Sequence, residues 1–327
     1  MNMKSTGLKS IAYELKISIN TVSRALRDCD DISEATKEKV RQKAYELGYI
    51  PNNVSQFIKR DGKQLIAVVV NSFKNMYFSI VCEKLVNILS DEDYDFTIVY
   101  SSSKRLELDV LKQCISQRVD GIVTLLEPSD EVIENSKLNN IPLVIVGRQI
   151  NKDFIDEVYI DDELGGKLAA NYLSNFHKIK KFIYVKMPNV ECSKRRQKSF
   201  QQTLETLSKE NECIILDSKQ IKGHLINLIN QGYLGIFCFN DEIAYEVLKI
   251  LNKEIPNVRK VYPRMHIIGF DCLSTRLCGL MDLTSIDYDY DEICQTAFNL
   301  LVEKMKDMKR EKKAIKFTVK LHQRKYL

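Results

Sequence analysis

The run Leu65-Ile66-Ala67-Val68-Val69-Val70 has no polar residue at either alternate position. A strand with one wet face would alternate, so six apolar residues in a row require cover on both sides, as in a parallel sheet flanked by helices. The stretches that follow repeat the theme. A helical pattern spans about Tyr77 to Leu89, and strand patterns fall at Phe96–Tyr100, Gly121–Leu125, Leu143–Val146 and Val158–Ile160. A second series follows at Lys181–Val185, Cys213–Leu216, Gly235–Phe239 and His266–Phe270. Two such series predict an α/β body of two lobes, each a doubly wound parallel sheet, with a cleft between them.

The first sixty residues read differently. Leu8, Ile11, Ala12 and Leu15 mark the apolar face of a short helix, and Lys16-Ile17-Ser18 a tight turn. A second helix, capped by Ser18, puts Val22, Ala25 and Leu26 on one face and Asn20, Ser23, Arg24 and Arg27 on the other. A third begins at the N-cap Ser33, turns Thr36, Val40, Ala44 and Leu47 inward, and stops at Gly48. Two short helices joined by so tight a turn make a helix-turn-helix, and the polar face of the second carries side chains that reach phosphates and base edges. The segment from Pro51 to Gly62 reads as a further helix, too short to be stable alone in water.

Net charge is only +5, which by itself identifies no partner. The excess is uneven: residues 1–62 hold 11 Lys/Arg against 8 Asp/Glu, whereas the rest is nearly balanced. Nine cysteines, none in a Cys-x-x-Cys pair, read as reduced thiols of a cytoplasmic protein. The start of the chain has no signal-peptide pattern, and no apolar stretch approaches a membrane span. The histidines at 177, 224, 266 and 322 show no spacing for a metal or a catalytic triad. Asp287, Asp289, Asp291 and Glu292 fit the N-terminus of the last long helix, and the basic run Lys306–Lys313 fits its solvated end. Neither an enzyme's constellation nor a cofactor loop is visible, so no cofactor and no metal are expected.

Specific strings then narrow the reading. Ile11-Ala12, Thr21-Val22-Ser23-Arg24-Ala25-Leu26, Ile32-Ser33-x-x-Thr36-x-x-x-Val40 and Glu46-Leu47-Gly48-Tyr49-Ile50-Pro51-Asn52 together resemble the headpiece of the lactose-repressor-like (LacI/GalR) family of bacterial transcription regulators. Arg118-Val119-Asp120-Gly121-Ile122, Asp161-x-x-x-Gly165-x-x-x-Ala169, Phe239-Asn240-Asp241-x-x-Ala244, Ile268-Gly269-Phe270-Asp271 and Leu283-Thr284-Ser285-Ile286 extend the likeness to that family's periplasmic-binding-protein-like effector domain.

The resemblance implies a headpiece at 1–50, a hinge helix at 51–62 and an effector-binding and dimerisation domain at 63–327. Lobe one would hold about 63–160 plus 291–327, and lobe two about 161–290. DNA contacts would come from Ser18, Ile19, Asn20, Thr21, Ser23 and Arg24, with Asn52 and the minor-groove wedge Ile58 in the hinge. Effector contacts would come from Arg196, Asn240 and Asp271, with Phe78 as an apolar wall. Five positions depart from the pattern: Gly7 before the first helix, Lys16 at the turn, Ile58 where the family usually has Leu, Ser199 where it has Gly, and Arg148 after the fourth strand. The expectation is a homodimeric repressor on a pseudo-palindromic operator in double-stranded DNA, controlled by a small carbohydrate effector, with no membrane role. The rivals are a sugar-binding module for transport and a regulator controlled by a partner protein.

Overall fold

The computed structural model describes residues 8–26, 28–49, 63–175, 179–276 and 283–324. Arg27 and the expected hinge, including Asn52 and Ile58, lie outside them.

Three helices open the chain: α1 (Leu8–Leu15), α2 (Ile19–Leu26) and α3 (Glu34–Glu46). Ile11, Ala12, Val22, Ala25, Val40 and Ala44 form their shared core, edged by Leu8, Leu15, Leu26 and Leu47. Thr36, expected inside, is only half-buried; its neighbour Lys37 is buried instead, with its ammonium on Asp28 and Glu34. Lysine can do this because its long stem covers apolar surface while its charge reaches carboxylates at the rim.

The three helices end alike. In α1 the Lys16 amide donates to the Tyr13 carbonyl and the Ile17 amide to that of Ala12. Asp28 and Cys29 repeat the pair after α2, on Ala25 and Arg24, and Gly48 and Tyr49 after α3, on Tyr45 and Ala44. This is the Schellman closure, which needs a left-handed residue just past the helix. Lys16 (φ 53°), Asp28 (φ 61°) and Gly48 (φ 63°) supply it, and only the last is the residue type that adopts it without strain.

The chain divides into two units, one of Met1–Tyr159 with Tyr290–Ile315 and one of Ile160–Asp289 with Lys316–Leu327. The first contains a six-stranded sheet in the order Ala314–Phe317, Asp156–Ile160, Leu143–Val146, Gly121–Thr124, Leu65–Val70, Asp95–Tyr100. Leu65–Val70 is buried at every position between its parallel neighbours, as its composition requires. The second sheet runs Lys320–His322, Thr284–Asp287, His266–Phe270, Gly235–Cys238, Lys181–Lys186, Glu212–Asp217, all parallel except the first. The last strand, Lys320–His322, thus belongs to the second sheet, whereas the sequence division puts everything from 291 to 327 in lobe one. Lys320–His322 pairs antiparallel with Thr284–Asp287, a strand the sequence reading also left out.

The basic run after the long helix is not a solvated helix end. The helix stops at Lys306, and Arg310 turns back to grip the wholly buried Asp156 through both guanidinium branches. Lys304 donates to the Arg310 carbonyl at 2.6 Å. A fully desolvated carboxylate needs such pairing, since an unpaired buried charge is costly.

Replacing Lys16 by Gly relieves a left-handed side chain that costs about 1–2 kcal/mol, against a smaller entropic loss from the unfolded chain. Lys16→Gly is expected to raise headpiece stability by about 0.5–1 kcal/mol, read from thermal unfolding of α1–α3. Lower stability would show that the Lys16 side chain contributes more than its backbone costs.

Candidate functional site

Two regions collect the polar side chains singled out in the sequence. The first is the outer face of α2. Ser18 caps it, its Oγ accepting from the Thr21 amide at 3.0 Å and lying 2.8 Å from the Thr21 hydroxyl. The cap holds the first turn, so Ile19 (45% exposed) and Asn20 project into solvent while Val22 and Ala25 anchor the opposite side. Thr21 and Ser23 sit half-buried along the margin. Arg24 is exposed but not loose: its guanidinium meets Asp31 through Nε at 3.2 Å and Nη2 at 2.8 Å. Hydrogen bonding to Arg24 keeps the Asp31 carboxyl below its usual range. Sequence reading missed Asp31, although an acidic residue seven positions after an exposed Arg was there to be noticed. A helix whose polar face is rigidly presented, with its donors splayed toward solvent, can enter a major groove.

The second region lies in the second unit, at the carboxyl ends of Gly235–Cys238 and His266–Phe270, where open α/β sheets place ligands. Its centre is Arg196, which is 4% exposed. Nε donates to Asp162 at 2.8 Å and Nη1 to the Phe239 carbonyl at 2.6 Å. The guanidinium carbon lies 3.3 Å from the Phe270 ring centroid and 4.8 Å from that of Phe239. Burial is the largest single influence and opposes the charge, but the Asp162 carboxylate together with Cys192, Asp271 and Tyr184 outweighs it and raises the Arg196 pKa. Nη2 has no hydrogen-bond partner among the described residues.

Close helix packing brings this arginine in. A Cβ on Gly166 would lie 2.6 Å from the Arg196 carbonyl oxygen, and one on Gly165 would lie 2.5 Å from the Phe270 ring. The Gly165-Gly166 pair thus lets the helix Asp162–Asn175 approach both the arginine's helix (Glu191–Leu207) and its aromatic floor. Ser199, where the family has Gly, fits because its hydroxyl donates to the Glu163 carbonyl at 2.6 Å.

Asn240 and Asp271 join Arg196 from the two strand ends. Asn240 caps the helix Asp241–Glu254, its Oδ1 accepting from the Ile243 amide at 3.1 Å, which commits the oxygen and leaves the amide nitrogen as donor. Asp271 accepts from the Tyr288 hydroxyl at 2.9 Å, and burial pushes its carboxyl up to about 6. It holds φ 94° and Cys272 holds φ 48°, two successive left-handed residues without glycine. Such strain persists only where surrounding bonds impose it, and it clusters at functional sites. The bonds come from Asp241, which takes the Leu273 amide and the Ser285 hydroxyl, each at 2.6 Å. Gly269 leaves that carboxylate room, since a Cβ there would come within 1.9 Å of it. Asp162, Asp241 and Tyr288 were not singled out beforehand.

Phe78 lies in the first unit, on the opening turn of the helix Met76–Asp91, where its ring sits 5.7 Å from that of Tyr77. Arg148 is also in the first unit, half-buried just after Gly147 (φ 82°), and no described residue pairs with its charge.

Removing Arg196 would strand Asp162, and breaking one side of a buried ion pair typically costs 3–5 kcal/mol. Arg196→Met is expected to lose about that much in urea unfolding, and Asp162→Leu with Arg196→Met to recover to within about 2 kcal/mol, the residue being the orphaned Phe239 carbonyl. Equal losses in the single and double variants would show that the pair does not stabilise this unit as described.

Comparison with known proteins finds likenesses along both parts of the chain. The model of bacterial regulatory proteins, lacI family, matches residues 7–52. The periplasmic binding protein-like domain matches residues 176–325. The HTH-type transcriptional repressor PurR of Vibrio parahaemolyticus is 25% identical over 316 residues, 94% of each chain. A LacI family transcriptional regulator from Enterococcus faecium with bound ribose superposes with a TM-score of 0.67 at 22% identity, over 80% of this chain and 97% of that one. The lac repressor dimer bound to operator and the anti-inducer ONPF does so at 0.65 and 18%, over 97% of each. With a lacI-type headpiece ahead of a two-sheet body of the same kind, the chain belongs to the lacI family of DNA-binding transcription regulators.

Proposed function

We propose that the chain is a homodimeric repressor whose grip on a pseudo-palindromic operator is set by a small carbohydrate held on the polar cluster of the second unit. The observation that carries the effector reading is Arg196: a buried cation on an aromatic floor, with one branch still able to donate, beside Asn240 as donor and Asp271 as acceptor. Hydroxyl groups both donate and accept, and sugar rings present apolar faces, so this set suits a polyol better than an apolar or purely cationic ligand. Phe78 remains the proposed apolar wall. The ribose on the Enterococcus faecium relative supports the same class.

On α2, Ile19 and Asn20 are assigned to base edges, and Ser18, Thr21, Ser23 and Arg24 to phosphates or shared base contacts. Asn52 and the wedge Ile58 are assigned to the hinge by resemblance alone. The dimer draws support from the edge strand Asp95–Tyr100, whose Phe96, Ile98 and Tyr100 are 40–57% exposed, with Phe73 stacked on Tyr100 at 6.1 Å. An uncovered apolar edge invites pairing, and a second copy would cover it. The transport reading has no use for the headpiece.

Full-length protein is expected to retard DNA from the promoter beside its own gene, and Arg24→Ala to weaken that binding by about tenfold or more, the loss of one good base or phosphate contact. A thermal-shift screen of sugars and sugar phosphates should find one that stabilises the wild type and not Asp271→Ala. No retardation with or without sugars, or an Arg24→Ala variant that binds as tightly as the parent, would overturn the operator reading.

A further inference from the structure

Behind the ligand cluster, three side chains from separate segments converge: Cys272 after the strand His266–Phe270, Asp287 at the end of Thr284–Asp287, and His322 on Lys320–His322. Their donor atoms all lie within 4.8 Å of one another, the one such group among the described residues. The sheet register makes this so. Ser285 pairs directly with His322 and Asp287 with Lys320, so Asp287 and His322 are diagonal neighbours on one face. The Cys272 amide donates to the Ser285 hydroxyl at 3.0 Å, which draws the thiol to the same place. We propose that Cys272, Asp287 and His322 bind a zinc ion.

The donor types select the metal. A thiolate, an imidazole and one carboxylate form a borderline-soft set that suits zinc, whereas magnesium and calcium take oxygen alone. Tetrahedral zinc with ligands at about 2.0–2.3 Å holds its donors roughly 3.5 Å apart, so the three must close by little more than an ångström. Among the described residues the Cys272 sulfur accepts only from the Thr275 hydroxyl, at 3.6 Å, a weak bond that a metal would replace, and the other donors are less committed. Neither ring nitrogen of His322 has a hydrogen-bond partner among the described residues. Asp287 uses only Oδ1 in its bonds, accepting from Arg276 Nη2 and the Tyr288 amide, both at 2.9 Å. Those two donors fix the carboxylate's orientation and leave Oδ2 for the ion, as outer partners do in established sites. Binding would release the Cys272 thiol proton to solvent as the sulfur–zinc bond forms, and a water would complete the fourth position.

The location gives the ion a consequence. Cys272 follows Asp271 directly, and Asp287 precedes Tyr288, whose hydroxyl donates to Asp271. An ion held by both would lock the backbone on either side of the strained Asp271, and so preorganise a member of the ligand cluster.

Full-length protein, stripped with chelator and titrated with cobalt(II), is the test. One equivalent per chain should bind with a thiolate-to-cobalt charge-transfer band in the near ultraviolet, and zinc should displace it. Cys272→Ser should abolish the band, and His322→Ala, at a half-buried residue whose side chain makes no hydrogen bond among the described residues, should weaken cobalt binding at least tenfold. Cys192→Ser, away from the group, should change neither. A wild-type protein without the band at millimolar cobalt, or a band that survives Cys272→Ser, would overturn the proposal.

Discussion

The guanidinium of Arg196 is the group on which the second unit's chemistry depends. A cation removed from water must find carboxylates, carbonyls and polarisable faces, or it will not stay. Here Asp162, the Phe239 carbonyl and the Phe270 ring each come from a different segment, so satisfying one charge fixes three elements at once. The two glycines of Gly165-Gly166 follow from the same need, because only their missing side chains let the helices close around it. Asp271 and Asn240 then flank a group held from three sides. A cluster preorganised in this way spends little of a ligand's binding energy on ordering side chains.

The headpiece solves a smaller problem by a different route. Six buried side chains hold three helices, too few to be wasteful, and the local chemistry of helix ends carries a large share of the specification. Ser18 and Ser33 open helices and three left-handed residues close them. The outcome is a second helix with an exposed polar face, whose Arg24 is held by Asp31 in readiness for a partner. On the proposed function, ligand chemistry and DNA chemistry thus fall on separate parts of one chain. Regulation by a ligand would need a free-energy coupling between them.

Much of this was legible in the sequence because the strongest signals were periodic or compositional. Leu65–Val70 could be nothing but a covered strand, and the α2 pattern separated Val22 and Ala25 from Asn20 and Arg24 without ambiguity. What escaped was short, polar or distant. Lys320–His322 is three residues with lysine at one end, and no periodicity shows that it joins the second sheet. Asp162 was invisible as a partner of Arg196 because 34 residues separate them and only the fold supplies the contact. The same holds for Cys272, Asp287 and His322, which a search for metal-ligand spacing passes over because strand register, not sequence distance, unites them. Arg310 looked like one more charge in a basic run until Asp156 was found buried beneath it.

On the proposed function, one chain reads DNA with α2 and is governed by a ligand on the Arg196 cluster. Fluorescence anisotropy of labelled operator, titrated with full-length protein at fixed salt with and without a ligand that stabilises it, tests this most directly. Linked sites should differ in operator affinity by roughly 5–150-fold between the two titrations, the range expected for 1–3 kcal/mol of coupling. Superimposable curves at saturating ligand would contradict the account.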